Sequence, residues 1–103
     1  MTKVIMGIGI PGSGKTTFLK QFAHANEHLY ICPDDIRYEL TGNSVDQSKN
    51  KEVWRLAYER VQNELSAGVT VVFDATFTNQ RERKECINFC KEHGADKVQG
   101  IFF

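Results

Sequence analysis

Residues 6–19 read MGIGIPGSGKTTFL, and residues 9–16 within them match the phosphate-binding pattern G-x-x-x-x-G-K-[ST] at every fixed position. Glycine permits backbone angles that side chains forbid, so successive N–H groups can curve around an anion. An apolar run precedes the motif and a helical pattern follows it, which is the setting that the motif requires. The stretch therefore predicts a polyphosphate-binding loop between a strand and a helix.

This loop predicts both a nucleotide and a metal. Lys15 supplies a full positive charge for the β- and γ-phosphates, the Thr16 hydroxyl is an oxygen ligand for Mg²⁺, and Thr17 can reach the α-phosphate. The next helix adds the partial positive charge of its N-terminus. We expect ATP or another nucleoside triphosphate, with Mg²⁺. The expected nucleotide contacts are Gly9, Pro11, Gly12, Ser13, Gly14, Lys15, Thr16 and Thr17.

A carboxylate for the metal is expected at the end of the most hydrophobic strand pattern, VTVVFD, at residues 69–74. The carboxyl ends of parallel strands share one edge of a sheet, so Asp74 should lie near Lys15 and Thr16. Asp74 and Thr16 are therefore the predicted metal-site residues. The alternative is that Asp74 only caps the turn that follows it.

The whole chain alternates strand and helix patterns. Strands are predicted at 3–9, 28–32, 69–74 and 98–103, and helices at 15–25, 34–40, from 45 or 46 to 67, and 79–93. This order predicts an α/β fold, the three-layer α/β/α sandwich of P-loop NTPases, with a mainly parallel sheet of about four strands. Cys86 and Cys90 are expected to pack inward. Trp54 and Tyr58 are expected to pack in the core or a groove, and the alternative is that they stack on a base.

Length and composition narrow the classes of protein. The chain has 103 residues, which allows one domain, and its 13 basic and 13 acidic side chains cancel. A neutral balance gives no global attraction to nucleic acid or to an anionic membrane, although a local basic cleft remains possible. No apolar run approaches a membrane span, and the start lacks a signal-peptide cleavage site. We therefore expect an intracellular protein with reduced thiols and no membrane partner.

The segment CPDDIR, residues 32–37, is the candidate for the acceptor side of a reaction. Asp34 and Arg37 are three apart and so share one face of a short helix that Pro33 begins. A carboxylate there can take a proton from a hydroxyl, and a guanidinium can hold a transferring phosphoryl group. Asp34 is the predicted base and Asp35 a substrate contact. The alternative is a capping acid beside a solvent-facing arginine.

Three segments together resemble one family of P-loop kinases. GIPGSGKTT at 9–17, PDDIR at 33–37 and VVFDATFTNQRERKE at 71–85 are similar to the family that includes the 5′-kinase domain of phage-type polynucleotide kinase, with zeta toxins in the same wider group. The resemblance implies phosphoryl transfer from ATP to the 5′-hydroxyl of DNA or RNA, with Asp34 as general base and Arg37 on the reacting phosphate. It also implies that Asp74 and Thr76 lie near acceptor and metal, that Arg81 and Arg83 are candidate phosphate contacts, and that the protein can be phage-encoded.

Members of the family carry a lid after the fourth strand, and then a fifth strand and a helix. We therefore expect residues 1–103 to be a single kinase core that lacks the lid and the last strand, and to bind nucleotide better than it transfers phosphate. Two alternatives to polynucleotide phosphorylation remain open. One is a kinase for a small molecule or a nucleotide sugar, and the other is a non-catalytic ATP-binding module.

Overall fold

A computed structural model describes residues 2–9, 14–43, 46–75 and 80–102. These residues form four strands and four helices in the predicted order. The elements are β1 (Lys3–Ile8), α1 (Lys15–Ala25), β2 (Leu29–Ile31), α2 (Pro33–Thr41), α3 (Asn50–Ser66), β3 (Val71–Asp74), α4 (Gln80–Glu92) and β4 (Lys97–Phe102). None of the helices in these ranges is long and apolar enough to cross a membrane.

The four strands form one parallel sheet in the order β2-β3-β1-β4. Val4 of β1 lies opposite Val71 of β3, and Gly7 lies opposite Asp74. The end of β1, where the glycine-rich loop begins, is therefore next to the carboxylate that ends β3. The predicted α/β fold with a parallel four-stranded sheet is confirmed.

Alternate residues of the central strands face opposite sides of the sheet, as a strand requires. Val4, Met6 and Phe73 belong to the core cluster that includes residues of α3 and α4, such as Val53 and Cys86. The intervening residues of β1 and β3 pack against α1 in a second cluster, made of Ile5, Leu19, Ala23 and Val72. Helices thus cover both faces, and Cys86 and Cys90 are fully buried, as expected.

Gly7 brings α1 close to the sheet. A Cβ atom at this position would overlap the Leu19 side chain of α1. Leu19 is itself fully buried, so it has little room to move away. A glycine here lets the helix that follows the loop lie directly against β1.

The predicted start of α3 was wrong. The helix begins at Asn50 rather than at 45 or 46. The Asp46 carboxylate accepts a hydrogen bond from the Ser48 backbone N–H at 2.8 Å, and this local turn competes with helix formation. Smaller differences of one or two residues occur at other element ends. In particular, α2 begins at Pro33, β2 is confined to 29–31, β3 begins at 71 and β4 at 97.

Candidate active site

A cleft of about 240 Å³ opens at the carboxyl ends of β2 and β3, between the N-terminal ends of α1 and α2. This is where ligands bind in open parallel sheets, because loops and helix N-termini meet there. Residues from five elements or their flanks line it. They are Lys15, Thr16, Cys32, Pro33, Asp34, Arg37, Gln47, Trp54, Asp74 and Ala75.

Lys15 and Asp74 form a buried ion pair on one side of the cleft. Lys15 Nζ lies 3.1 Å from Asp74 Oδ1 and donates a hydrogen bond of 3.0 Å to the backbone oxygen of Ala75. The two residues are only 5% and 2% exposed, respectively. A buried charge requires a partner of opposite sign, so a phosphate that takes Lys15 from this pair must itself carry negative charge.

Tyr30 holds the second oxygen of the same carboxylate. Its hydroxyl donates a short hydrogen bond to Asp74 Oδ2. Burial and this hydrogen bond raise the pKa of Tyr30 well above its ordinary value, so the phenol keeps its proton at neutral pH. Tyr30 lies opposite Val72 in the sheet, two residues before Asp74. Both side chains therefore point to the α1 face, and Asp74 is fixed from two directions.

The described part of the glycine-rich loop fits a polyphosphate. Gly14 has φ +81°, a left-handed conformation that favours glycine, and α1 begins at the next residue. The N-terminus of α1 thus adjoins Lys15, where it favours an anion. Thr16 is exposed and lines the cleft, whereas Thr17 is exposed on α1 outside the cleft lining. Gly9 follows β1 directly. The predicted contacts Pro11, Gly12, Ser13 and Thr76 lie outside the described residues.

The oxygen groups of Thr16 and Asp74 are the ligand type that Mg²⁺ prefers. The described residues contain no group of three or more histidine, cysteine or acidic side chains arranged to hold a metal. Two protein oxygen ligands are compatible with Mg²⁺, because this ion usually keeps several waters and takes other ligands from phosphates. The two residues therefore fit a magnesium ion that arrives with the nucleotide.

Asp34 and Arg37 line the same cleft from α2. Pro33 occupies the first turn of α2, and Arg37 Nη1 lies 2.5 Å from Asp34 Oδ1. The Asp34 side chain is 64% exposed, while that of Arg37 is 7% exposed. Arg37 Nη2 also donates a hydrogen bond of 2.8 Å to Asn50 Oδ1 at the start of α3. The arginine is therefore a buried and oriented group rather than a solvent-facing one.

The two adjacent acids of α2 face different spaces. Asp34 lines the cleft with Lys15, whereas Asp35 lines a separate groove of about 250 Å³ beside β2, together with Glu39 and Arg60. The structure thus separates the acid that shares a cleft with the phosphate loop from the one that does not. The role of Asp35 as a substrate contact remains a prediction, and this geometry gives it no support.

Other candidates from the sequence lie away from the cleft. Arg81 is exposed and pairs with Glu85 on the same helix at 3.2 Å. Arg83 lines an apolar groove between α4 and β4. By contrast, sequence reasoning missed Tyr30, Gln47 and the cleft position of Trp54. The only sequence signal for this position is that Trp54 follows Asn50 by four residues, which predicts that the two side chains share one face of a helix.

Comparison with known proteins places these features in a family. Residues 4–101 match a family described as an AAA domain. The chain is 30% identical over 99 residues to a protein of Acanthamoeba polyphaga mimivirus that is named "putative bifunctional polynucleotide phosphatase/kinase". A chain in the structure of the Pnkp1/Rnl/Hen1 complex matches it with a TM-score of 0.87 at 25% identity. A sugar kinase from Janibacter sp. HTCC2649 matches with a TM-score of 0.64 at 19% identity, a level that reflects the fold alone.

Coverage in these matches is unequal. The matched segment is 96% of this chain but only 20% of the mimivirus protein. The structural match covers 99% of this chain and 35% of the chain in the Pnkp1/Rnl/Hen1 complex, and 60% of the Janibacter sugar kinase. The chain therefore spans about a fifth of the mimivirus protein and about a third of the chain in the Pnkp1/Rnl/Hen1 complex.

Proposed function

The chain belongs to the AAA-type P-loop kinase family, with polynucleotide kinase-like relatives, and from this premise we propose that it transfers the γ-phosphoryl group of ATP to the 5′-hydroxyl of a DNA or RNA strand. The observation that carries the proposal is the cleft itself. Lys15 and Asp74 line the same cleft as the Asp34–Arg37 pair, so a phosphate donor and a hydroxyl acceptor can meet within it.

The donor side positions the triphosphate. Lys15 exchanges its contacts with Asp74 and the Ala75 oxygen for oxygens of the β- and γ-phosphates, and the N-terminus of α1 adds favourable partial charge. Thr16 and Asp74 would hold Mg²⁺, which would supply neutralising charge for the phosphate oxygens. Tyr30 keeps the Asp74 carboxylate in place while Lys15 changes partners.

The acceptor side handles the proton. Asp34 accepts the proton of the attacking hydroxyl as the new bond forms between that oxygen and the γ-phosphorus. The bond from the γ-phosphorus to the bridging oxygen breaks, and ADP leaves with the electron pair. Arg37 orients the Asp34 carboxylate and contributes positive charge beside the transferring group. Asn50 fixes Arg37 from α3, and this contact helps to hold the pair in this orientation.

A panel of acceptors tests the proposal. We expect the protein, with γ-labelled ATP and Mg²⁺, to label a 5′-hydroxyl oligonucleotide and not the same oligonucleotide carrying a 5′-phosphate. Sugars and nucleotide sugars serve as competing acceptors. Transfer only to a sugar would replace the polynucleotide assignment with a small-molecule kinase. Nucleotide binding without transfer to any acceptor would favour a non-catalytic ATP-binding module and contradict the proposal.

A further inference from the structure

Trp54 forms part of the cleft wall and is the single tryptophan of the sequence. Its half-buried indole ring is stacked with Phe73, with centroids 6.2 Å apart and planes 20° from parallel. Tyr58 lies 6.1 Å away at a tilt of 36°. Phe73 is fully buried, so the core supports the indole from behind. The ring is therefore held in the cleft wall without the help of a ligand.

Trp54 lies one helical turn from the residue that fixes Arg37. Asn50 and Trp54 are four apart on α3, which places their Cβ atoms about 5–6 Å apart on one face. Asn50 Oδ1 binds Arg37, and Arg37 binds Asp34. A hydroxyl held at Asp34 would therefore bring the group attached to it alongside the Trp54 wall.

The chemistry of this wall favours a flat apolar ring. Nη1 and Nη2 of Arg37 are engaged by Asp34 and Asn50, and Phe73 backs the indole, so the indole face is the apolar part of this wall. A sugar ring placed here would bring hydroxyls that lose their hydrogen bonds to water. A nucleobase needs only its π-face, and every base has one.

We infer that Trp54 stacks on the nucleobase of the acceptor's 5′-terminal nucleoside. This inference rests on the proposed function and deepens it, because it assigns a recognition site to the first base of the strand. Stacking does not read hydrogen-bond patterns, so the site accepts all bases with similar affinity. The expected substrate class is thus a strand with an intact terminal base rather than any primary hydroxyl.

Fluorescence of Trp54 reports this contact without catalysis. The protein is saturated with a non-hydrolysable ATP analogue and Mg²⁺ and titrated with a 5′-hydroxyl oligonucleotide. We expect saturable quenching. The same oligonucleotide with an abasic 5′-terminal residue should leave the fluorescence unchanged and bind at least about fivefold more weakly, since stacking on an aromatic side chain contributes that much per base. Equal affinity and equal quenching by both oligonucleotides would overturn the inference.

Variants separate this inference from the proposed function. Trp54→Leu should weaken binding of the base-bearing oligonucleotide by about fivefold or more and leave the abasic one unchanged, as followed by fluorescence anisotropy of labelled strands. Trp54→Phe keeps a ring against the core if the leucine variant does not fold. Tyr38→Leu is the matched control, because Tyr38 is 61% exposed on α2 and lies outside the cleft lining.

The outcomes are distinguishable. If Trp54→Leu binds and phosphorylates both oligonucleotides as the wild type does, the stacking inference fails and the proposed function stands. If the wild type transfers phosphate to no oligonucleotide, the proposed function fails. The fluorescence titration then still decides whether a terminal base contacts Trp54.

Discussion

Replacing Asp34 with asparagine removes the proposed base and preserves the size of the side chain. In the wild type, Arg37 Nη1 lies 2.5 Å from the Asp34 carboxylate oxygen. In Asp34→Asn, the amide oxygen can still accept this hydrogen bond. The amide cannot accept the proton of the attacking hydroxyl. Because a positioned general base contributes about 10²- to 10⁴-fold, we expect kcat to fall by that range.

The expected effect on stability is small. Asp34 is 64% exposed, so water and salt screen much of its attraction for Arg37. Arg37 also keeps its hydrogen bond to Asn50 in the variant. We therefore expect the free energy of unfolding to fall by about 1 kcal/mol or less. Loss of activity cannot then be attributed to loss of fold.

The matched control is Asp35→Asn, which changes the neighbouring acid in the same way. Asp35 lines the groove beside β2 rather than the cleft, so the kcat of Asp35→Asn should stay within about twofold of wild type. The assay measures the transfer of γ-phosphate to a 5′-hydroxyl oligonucleotide, with ATP affinity determined separately. ATP affinity should be unchanged in both variants. Equal losses of kcat, or a loss confined to Asp35→Asn, would refute the assignment of Asp34 as base.

Three further results are expected. Lys15→Met should weaken triphosphate binding at least about tenfold. It should also lower the free energy of unfolding, measured by urea denaturation, by about 3–5 kcal/mol, because Asp74 stays buried without its cation. A Lys15→Met/Asp74→Asn double variant that is no more stable than Lys15→Met would contradict this reason for the loss of stability. Tyr30→Phe should lower the free energy of unfolding by about 1–3 kcal/mol, since one buried oxygen of Asp74 loses its hydrogen-bond donor. It should also raise the Mg²⁺ concentration needed for half-maximal nucleotide binding. Unchanged stability would argue against the hydrogen bond between Tyr30 and Asp74. Burial raises the pKa of Tyr30 and Tyr58, and Asp74 and Cys86 respectively add to the shift. The folded state therefore holds these protons more tightly than the unfolded state, and the free energy of unfolding should fall as pH rises beyond about 10. Tyrosinate absorbance and circular dichroism test this, and ionisation of both phenols before unfolding would contradict the expected direction of the pKa shifts.

Local sequence signals predicted the fold and most of the charged residues that line the cleft, including the Asp34–Arg37 pair. The glycine-rich motif, the apolar run that ends at Asp74 and the strand–helix alternation each depend on neighbouring residues alone. Parallel pairing then requires that the ends of β1 and β3 meet, which is how Lys15 and Asp74 were placed together before any coordinates.

The remaining features depend on contacts between residues that are distant in the chain. Tyr30 lies in a three-residue strand, where an aromatic side chain is expected to pack in the core. Only the pairing of β2 with β3 brings its hydroxyl to Asp74. The sequence favoured Asp34 over Asp35 as the base, but the different spaces that the two acids face depend on the orientation of α2 over the sheet. For Trp54 the sequence favoured core or groove packing over stacking on a base. It does pack on Phe73, and it lines the cleft as well.

The position of the transferred label tests the account most directly. After reaction with γ-labelled ATP, the oligonucleotide is digested to mononucleotides and the labelled product is identified. We predict label on the 5′-terminal nucleotide for the wild type and for Asp35→Asn, and labelling at least about a hundredfold slower for Asp34→Asn. Label at any other position, no label with the wild type, or full labelling by Asp34→Asn would contradict it.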